Sequence, residues 1–420
     1  LLQVTVSVGI GVRWAQVMLR APTPAWPLPC FRRPLPAPPS SPHPLRSCMG
    51  SRATEATSPA VPKFVPVGGG DGASGNAAGE GFRFRLCSYN ILAQVYVKSS
   101  YFPHSPSPCL RWKARSQTIL TVLKSFGADF LCLQELDEFD SFYKKNMETH
   151  GYLSAYIRRN GRKRDGCGIF YKPSSAELIL KEEIEYNDLI NFVHSGSDDG
   201  DNIKADLSRL TLSDDSSVED LSESINPNDD LKDPNDPRVR LKRDCVGIMA
   251  AFRLNNSSHH LVIVANTHIY WDPEWADVKL AQAEYLLFRL SQFRRTVSSK
   301  FGCSPSVIVA GDFNSIPGDM VYQFIVSGNA STRLLPDSGP LIPLRSLYAS
   351  VGGEPPFTNC TPDFTGTLDY IFFSSSSNLK PVGLLQIPGH ESPEVAGGLP
   401  NYYHPSDHLP IGGDFEVSDI

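Results

Sequence analysis

The chain has 420 residues, of which 41% are hydrophobic and 20% are charged, and its formal net charge is −6 with a pI near 6.0. The apolar share is ordinary for a soluble globular protein, and the slightly acidic balance does not by itself indicate a nucleic-acid-binding protein. Nine cysteines without a C-x-x-C pair argue against a disulfide framework or a zinc site, and no run of about 18 apolar residues predicts a membrane span.

The N-terminal region, residues 1–81, differs from the rest of the chain. Residues 1–54 contain no Asp, Glu or Lys, and their charge comes from arginine. An acid-free, arginine-bearing start resembles an organelle transit peptide, and a Gly/Ala linker over Gly68–Gly81 closes the region. We therefore expect a disordered or transit-like extension. Two alternatives remain open: the segment is partly upstream translation before Met18 or Met49, and a start at Met49 fits the N-myristoylation pattern.

From residue 82 onward, short apolar runs rich in β-branched and aromatic residues predict buried β-strands. The predicted strands are Phe82–Leu92, Phe130–Gln134, Gly166–Tyr171, Cys245–Leu254, His260–His268, Val307–Asp312 and Leu368–Ser374. Apolar stripes at helical spacing predict two helices, Arg111–Phe126 and Asp277–Phe293. The pattern predicts one domain over residues 82–420, built as a β-sandwich with flanking helices.

An acidic segment interrupts this pattern at about 197–236. It holds 13 acidic residues and three basic ones, so its own net charge is −10. Because the whole chain has a net charge of −6, the rest of the chain has a net charge of +4. Low hydrophobicity with high charge predicts a disordered insertion. Two interpretations remain open: a solvated loop without function, or a segment that binds a protein partner or is phosphorylated.

Several apolar runs end at polar residues, and these polar residues are the candidates for a catalytic site. The polar residues are Asn90, Glu135, His268, Asp312, Asn314, Asp369, Asp407 and His408. Each alone is consistent with an ordinary capped strand end, because Asn and Asp favour turns. Strand ends at one edge of a β-sandwich converge on a single cleft, however. Together these side chains would make a poor core but a good site for a hard cation and a phosphodiester.

The ordered set of these motifs resembles the endonuclease/exonuclease/phosphatase superfamily. The segments Ser88–Ala93, Trp271–Glu274 and Asp277–Gln282 make it most similar to the carbon-catabolite-repressor-type deadenylases, with nocturnin and Angel proteins as near relatives. The resemblance covers Phe82 to the C-terminus without the acidic insertion. It implies an α/β fold of the DNase I-like type, a four-layer α-β-β-α sandwich in which two mostly antiparallel sheets pack face to face between helices.

The resemblance also implies a Mg²⁺ site. Glu135 is the expected ligand, and Asn90 would add a neutral oxygen or orient the carboxylate. Asp407 would bind a second cation or its waters. Mg²⁺ is small and hard, so it keeps several waters and shares the oxygens of a phosphate. One or two ions are expected, because members of the superfamily differ in this, and Mn²⁺ could substitute for Mg²⁺.

Hydrolysis needs a water aimed at phosphorus. Asp312 and Asn314 are two residues apart, so on an extended segment their side chains would point to the same side. Asp312 would then accept a proton from the water, and Asn314 would hold the water or a phosphoryl oxygen. His268 and His408 would contact the non-bridging oxygens, and Asp369 would orient His408.

Substrate selection is expected outside this set. The resemblance assigns contact with adenine to Pro273 and Phe364, because apolar and aromatic faces stack on bases. Core packing is the alternative for Phe364. Candidates for a rim that follows the phosphates are Arg111, Lys113, Arg115, Arg158, Arg159, Arg162, Lys163 and Arg164, although ordinary surface charge would look the same.

These residues predict an enzyme that acts on RNA. We expect a Mg²⁺-dependent 3′-to-5′ exoribonuclease that prefers the poly(A) tail of mRNA and releases 5′-AMP. Alternatives on the same fold are a nocturnin-like NADP(H) 2′-phosphatase or a 2′-phosphodiesterase. A catalytically weak scaffold that binds partners is a third hypothesis.

The resemblance bears on partners and location as well. The chain shows no leucine-rich docking repeats, which argues against membership of a Not-type complex. The cytoplasm or nucleus is the expected location. A mitochondrion or plastid is the alternative that the N-terminus suggests.

Overall fold

The structure is a computed structural model that describes residues 58–67, 81–193, 236–255, 260–328, 341–375 and 378–418. Most of the predicted N-terminal extension therefore lies outside the described residues. The predicted acidic insertion does so as well, apart from Asp236 at its end.

Two β-sheets form the centre of the fold. Their strands and a small hairpin are β1 (Phe64–Pro66), β2 (Phe82–Asn90), β3 (Phe130–Gln134), β4 (Leu153–Arg158), β5 (Gly166–Tyr171), β6 (Ala176–Glu185), β7 (Val246–Leu254), β8 (Leu261–His268), β9 (Ser306–Asp312), β10 (Leu344–Ser346), β11 (Asn359–Cys360), β12 (Thr365–Gly366), β13 (Asp369–Ser374), β14 (Leu379–Leu385) and β15 (Ile411–Val417). The orders are β1-β14-β15-β2-β3-β5-β4 and β10-β13-β9-β8-β7-β6, and β11 pairs with β12. Each large sheet has one parallel pair among these strands, β2–β3 and β8–β9, and the other pairs are antiparallel.

Helices cover the outer faces of both sheets. They are α1 (Trp112–Ser125), α2 (Lys144–Glu148), α3 (Ile190–Val193), α4 (Pro237–Leu241), α5 (Ala276–Phe301) and α6 (Met320–Ser327). Short helical turns lie at Gln94–Tyr96, Ser107–Leu110, Phe139–Tyr143 and Tyr186–Leu189.

The layers follow from the alternation of side chains along each strand, since successive residues point to opposite faces. In β3, Phe130 and Cys132 lie in the core between the two sheets, whereas Leu131 lies in the core under α1. In β8, Val264 lies between the sheets and Ile263 packs in the core that α5 covers. The predicted four-layer α-β-β-α sandwich is therefore confirmed.

The predicted strands are all present, each with ends within two residues of the expected ones. The first predicted helix is also present, as α1. The second, α5, runs eight residues beyond the expected end at Phe293 and stops at Gly302, which has the left-handed conformation. Val297 continues the apolar stripe and is fully buried, so packing extends this helix through a polar sequence.

The expected domain start at residue 82 is wrong for one segment. Strand β1 lies in the predicted extension, yet it pairs with β14 at the edge of the seven-stranded sheet. Its Phe64 ring lies 3.6 Å from the Arg85 guanidinium. Flanking prolines hide a strand of three residues from a sequence pattern, although proline is compatible with an edge strand.

Two further expectations concern cysteines and membranes. Seven cysteines lie in the described ranges, all as free thiols, and six of them are buried. Cys30 and Cys48 lie outside these ranges. Among the described helices, none combines the length and the apolar character that crossing a bilayer requires.

Candidate active site

The carboxyl ends of the two parallel strand pairs bring the polar residues together. Asn90 is in register with Gln134 across β2 and β3, and His268 is in register with Asp312 across β8 and β9. Strand β9 passes very close to β8 at Gly311, where a Cβ atom would lie 2.1 Å from the Thr267 carbonyl oxygen. Glycine is thus required at the position directly before Asp312, which holds this carboxylate against the neighbouring strand.

Asp312 lies at the centre of the cluster. Its Oδ2 accepts a hydrogen bond from Asn90 Nδ2 at 3.0 Å, so it joins the two sheets. The same oxygen lies 3.5 Å from His268 Nε2 and 3.7 Å from His408 Nε2. Burial raises the pKa of Asp312 to about 6, and the charge of Asp369 adds to this, while His408 opposes it. The carboxylate is therefore a stronger base than an ordinary aspartate.

His408 is held by Asp369, which lies opposite Asp312 in the sheet. The His408 Nδ1 to Asp369 Oδ2 distance is 2.7 Å, and the Thr358 hydroxyl donates to the same oxygen at 2.6 Å. Burial lowers the pKa of His408, but the carboxylates of Asp369 and Asp312 outweigh it and raise the pKa well above its usual value. His408 is thus an imidazolium whose orientation is fixed.

His268 has the opposite character. Burial lowers its pKa well below the usual value, and the positive charges of Arg159, His408 and Lys163 lower it further. The two imidazoles on either side of Asp312 therefore differ in charge. The His268 ring is neutral and can donate or accept hydrogen bonds, and the His408 ring carries a positive charge.

Glu135 lies beside this cluster, just past the end of β3. Its Oε1 accepts from Asn90 Nδ2 at 3.1 Å, and its Oε2 accepts from the Ala93 backbone at 2.9 Å. Its backbone is left-handed, with φ of 57°, which non-glycine residues rarely adopt outside functional sites. Burial and, to a smaller extent, the charges of Asp407 and Asp165 raise its pKa to about 7.

Two positions fit a divalent cation. Around Glu135 and Asp407, no basic nitrogen of the described residues lies within 4.0 Å of either carboxylate, so a cation would relieve their repulsion. Asp312, Asp369 and His408 also have one ligand atom each within 4.8 Å of one another. In that second group, however, His408 already carries a proton and is bonded to Asp369. A metal at that second position must compete with this proton.

Asn314 is close to Asp312, but the predicted geometry is wrong. Strand β9 ends at Asp312, and Asn314 is left-handed with φ of 44°. Its backbone N–H donates to Asp312 Oδ1 at 2.9 Å, and its side chain donates to the Ile269 carbonyl at 3.1 Å. Lys279 Nζ holds its carbonyl at 2.8 Å. A tight turn, and not an extended segment, brings the two side chains together.

The predicted adenine contacts are both exposed. Pro273 lies in the loop between β8 and α5. Phe364 lies in the turn between β11 and β12, is 42% exposed and is therefore not a core residue. Its ring covers Gly366, where a Cβ atom would lie 2.8 Å from the ring and 3.4 Å from Ile316. Exposed apolar faces of this kind are available for stacking.

Two of the proposed rim residues are buried. Arg159 forms an ion pair with Asp165 at 2.9 Å, and Tyr96 donates to the same carboxylate at 2.7 Å. Arg115 is 1% exposed. The other six candidates, from Arg111 to Arg164, remain exposed on the surface.

Comparison with known proteins shows the family of this chain. A model of the endonuclease/exonuclease/phosphatase family matches residues 87–408. The chain belongs to this family. The match begins inside β2 and ends at His408, so it includes both ends of the cluster.

Similar proteins refine the position within the family. "Carbon catabolite repressor protein 4 homolog 4" of Arabidopsis thaliana is 60% identical over 339 residues, which cover 80% of this chain and 78% of that protein. "CCR4-Not complex 3′-5′-exoribonuclease subunit Ccr4" of Phaeosphaeria nodorum is 29% identical over 79% of this chain, but the match spans only 59% of that protein. The solved structure of ANGEL2, "a 2′,3′-cyclic phosphatase", is 25% identical with a TM-score of 0.60, covering 85% of this chain and 98% of ANGEL2. The predicted resemblance is confirmed.

Arg115 has a role in this protein that the sequence pattern did not predict. Its guanidinium donates to the Ile91, Leu92 and Pro405 carbonyls at 2.8, 2.6 and 2.8 Å, and to Gln94 Oε1 at 2.8 Å. It thereby ties the segment after Asn90 to the segment before Asp407. A signal was available, because Arg115 lies four residues before Ile119 on the buried stripe of α1.

Replacing Arg115 with methionine is expected to lower the free energy of unfolding by about 3 kcal/mol, because it leaves buried carbonyls without donors. We also expect a lower kcat, since the two segments carry site residues. Urea denaturation and steady-state kinetics measure both effects. Arg111→Met, an exposed position next to α1, is the matched control and should change stability by no more than about 0.5 kcal/mol. Equal urea midpoints for the two variants would contradict the role of Arg115 in holding the two segments together.

Proposed function

We propose that this protein is a Mg²⁺-dependent 3′-to-5′ exoribonuclease that prefers poly(A) and releases 5′-AMP. The observation that carries the proposal is the pairing of Asp312, a buried base between a neutral and a charged imidazole, with Glu135, a carboxylate that has no basic nitrogen of the described residues within 4.0 Å. This combination suits attack of water on a phosphodiester.

The protein groups divide the work. Asp312 accepts the proton of the attacking water, and Asn314 helps to position that water or a phosphoryl oxygen. The protonated imidazole of His408 faces the non-bridging oxygens and offsets the charge that develops in the transition state. Neutral His268 donates a hydrogen bond to the same oxygens. Asp369 keeps His408 protonated and oriented, which the 2.7 Å contact supports.

Glu135 is the proposed ligand of Mg²⁺, and Asn90 would orient its carboxylate, because Asn90 Nδ2 donates to Glu135 while Asn90 Oδ1 accepts from the Leu92 backbone. Asp407 would hold a second ion or its waters. The bound ion supplies a Lewis-acid contact to the phosphate oxygens. Carboxylate oxygens suit Mg²⁺, and Mn²⁺ is expected to substitute for it.

The preference for poly(A) rests on similarity and on the exposed apolar residues. The Phaeosphaeria relative is named as a 3′-5′-exoribonuclease, although the chain spans about three-fifths of that protein's length. Pro273 and Phe364 offer faces on which adenine can stack.

A second candidate activity is hydrolysis of a 2′,3′-cyclic phosphate. The match to ANGEL2, which is named for that activity, favours it, and the chain covers nearly all of that structure. The same base, imidazoles and cation would act on either phosphodiester. The fate of an RNA that ends in a 2′,3′-cyclic phosphate separates the two candidate activities.

The test uses the full chain with Mg²⁺ on 5′-labelled oligo(A), mixed-sequence RNA, RNA with a 2′,3′-cyclic phosphate end and NADP(H). A ladder that shortens from the 3′ end of oligo(A), and forms more slowly on mixed RNA, would support the proposal. Opening of the cyclic end without shortening would favour the second candidate. Release of phosphate from NADP(H) with inert RNA would overturn both.

We also propose a location in the cytoplasm or nucleus, with a mitochondrion or plastid as the alternative. Expression of a reporter fused to the first 80 residues tests this, because import into an organelle would support the alternative. Independence from a Not-type complex stays a prediction, as does partner binding by the acidic insertion. Co-purification with and without residues 197–235 measures both.

A further inference from the structure

Arginine and aromatic side chains form a stacked cluster beside the active site. The guanidinium carbons of Arg240 and Arg243 lie 3.9 and 4.0 Å from the centre of the Trp275 ring. Arg243 also lies 5.3 Å from the Tyr270 ring, which is 5.9 Å from the Trp275 ring. Trp271 is next to Tyr270, at 6.1 Å between ring centres. We call these five residues the Trp275 cluster.

The Trp275 cluster carries a cation without a carboxylate partner. Arg240 is paired with both oxygens of Asp277, at 2.6 and 2.7 Å. Arg243, by contrast, has no described carboxylate within 4.0 Å, and its Nη1 donates to the Lys242 carbonyl at 3.0 Å. The Arg243 guanidinium therefore lies over the Trp275 ring, and its charge remains available to attract an anion.

Trp271 is the exposed face of the Trp275 cluster. It is 64% exposed, more than any other described tryptophan, tyrosine or phenylalanine. A single exposed apolar residue needs no explanation, but this one lies beside aromatic rings and an uncompensated cation. Flat aromatic faces next to arginine are the elements with which proteins bind unpaired bases and their phosphates.

The position of the Trp275 cluster links it to the catalytic residues. Trp271 follows His268 by three residues, so the chain separates them by no more than roughly 10 Å. Between them, the Ile269 carbonyl holds the side chain of Asn314. Arg243 lies just before β7, whose first residue is paired with His268. The surface is thus continuous with the active site.

We infer that the Trp275 cluster is a binding site for the single-stranded RNA that lies 5′ of the nucleotide being removed. Trp271 stacks on a base, and Arg243 neutralises a phosphate. This inference rests on the proposed ribonuclease function and adds the place where the rest of the strand is held. It explains why a loop so near the chemistry exposes a tryptophan.

The test compares a 20-nucleotide oligo(A) with the dinucleotide ApA, which has a single nucleoside 5′ of the scissile phosphate and no second phosphate for Arg243. For Trp271→Ala we expect kcat/KM on the 20-mer to fall about tenfold more than on ApA, since base stacking is worth roughly that factor or more. Trp271→Phe should restore most of it. Arg243→Gln should reduce the salt dependence of 20-mer binding by about 0.7 in log–log slope, and Arg243→Lys should keep that slope.

Lys300→Gln is the matched control, because this exposed cation lies at the far end of α5, roughly 36 Å from Ala276 at 1.5 Å per residue. It should match the wild type on both RNAs. Equal effects of Trp271→Ala on the two lengths, or none on the 20-mer, would overturn the inference. If the wild type cleaves neither RNA, the proposed function fails. Fluorescence anisotropy then measures binding of a labelled 20-mer to the same variants and tests RNA binding by the Trp275 cluster separately from cleavage. Unchanged affinity of the variants would overturn the inference.

Discussion

Replacing Asp312 with asparagine is expected to lower kcat by roughly 10²- to 10⁴-fold, the usual contribution of a general base. The amide has nearly the same shape, but its single oxygen can accept only one of the two hydrogen bonds that Asn90 Nδ2 and the Asn314 backbone donate to the carboxylate. Removal of a buried charge repelled by Asp369 offsets that loss. The amide cannot accept the proton of a water molecule. The loss of activity should therefore appear in kcat more than in KM.

Asp319→Asn provides the matched control for this variant. Asp319 is seven residues further along, and its carboxylate accepts only from the Ile316 backbone among the bonds described. An asparagine there keeps that bond, so activity should stay near the wild-type value. Both variants should melt near the wild-type temperature. An Asp312→Asn enzyme within tenfold of the wild-type kcat would assign the proton transfer to another group.

Replacing Glu135 with glutamine is expected to raise the Mg²⁺ concentration for half-maximal activity by about 100-fold or more, since even residues that only orient a ligand cost 10- to 100-fold. The metal-free variant should be about as stable as the wild type. The change removes a partly buried charge repelled by Asp407 and Asp165, which offsets the loss of one of the two hydrogen bonds from Asn90 and the Ala93 backbone. The stabilisation by Mg²⁺ should disappear. It amounts to about 2.7 kcal/mol at about 100 times the Kd.

Thermal melts with and without Mg²⁺ measure this effect. Glu138→Gln is the control, because Glu138 lies three residues away and its carboxylate is engaged with Ser141. Asp369→Asn separates the two candidate cation positions. If Asp369→Asn abolishes the shift with Mg²⁺ while Glu135→Gln keeps it, the cation lies among Asp312, Asp369 and His408 instead.

The strands and the identity of the cluster could be predicted because both depend on neighbours in sequence. A buried strand has its own apolar pattern, and the polar residue that ends it is visible in the same few residues. Asn90, Glu135, His268 and Asp312 were found in this way. Other strands were harder to predict, because β6, at the edge of its sheet, mixes apolar with charged residues, and β15, inside the other sheet, contains two glycines.

Other errors have a tertiary cause. Arg115 and Arg159 look like surface cations in sequence. Arg115 is buried against carbonyls that lie far away along the chain, and Arg159 is paired with Asp165 across the turn that joins β4 to β5. Asn314 was placed on an extended segment. The strand ends earlier, because the Asp312 carboxylate captures the Asn314 backbone N–H.

The sequence by itself determined seven of the fifteen described strands, the two main helices, the family resemblance and the set of polar residues, since short-range patterns encode all of them. Only the tertiary structure decided the electrostatics. Two histidines with the same intrinsic pKa have opposite shifts because His408 is bonded to Asp369, whereas His268 is buried near positive charges. Burial and distant charges set these pKa values, and both exist only once the two sheets have packed together.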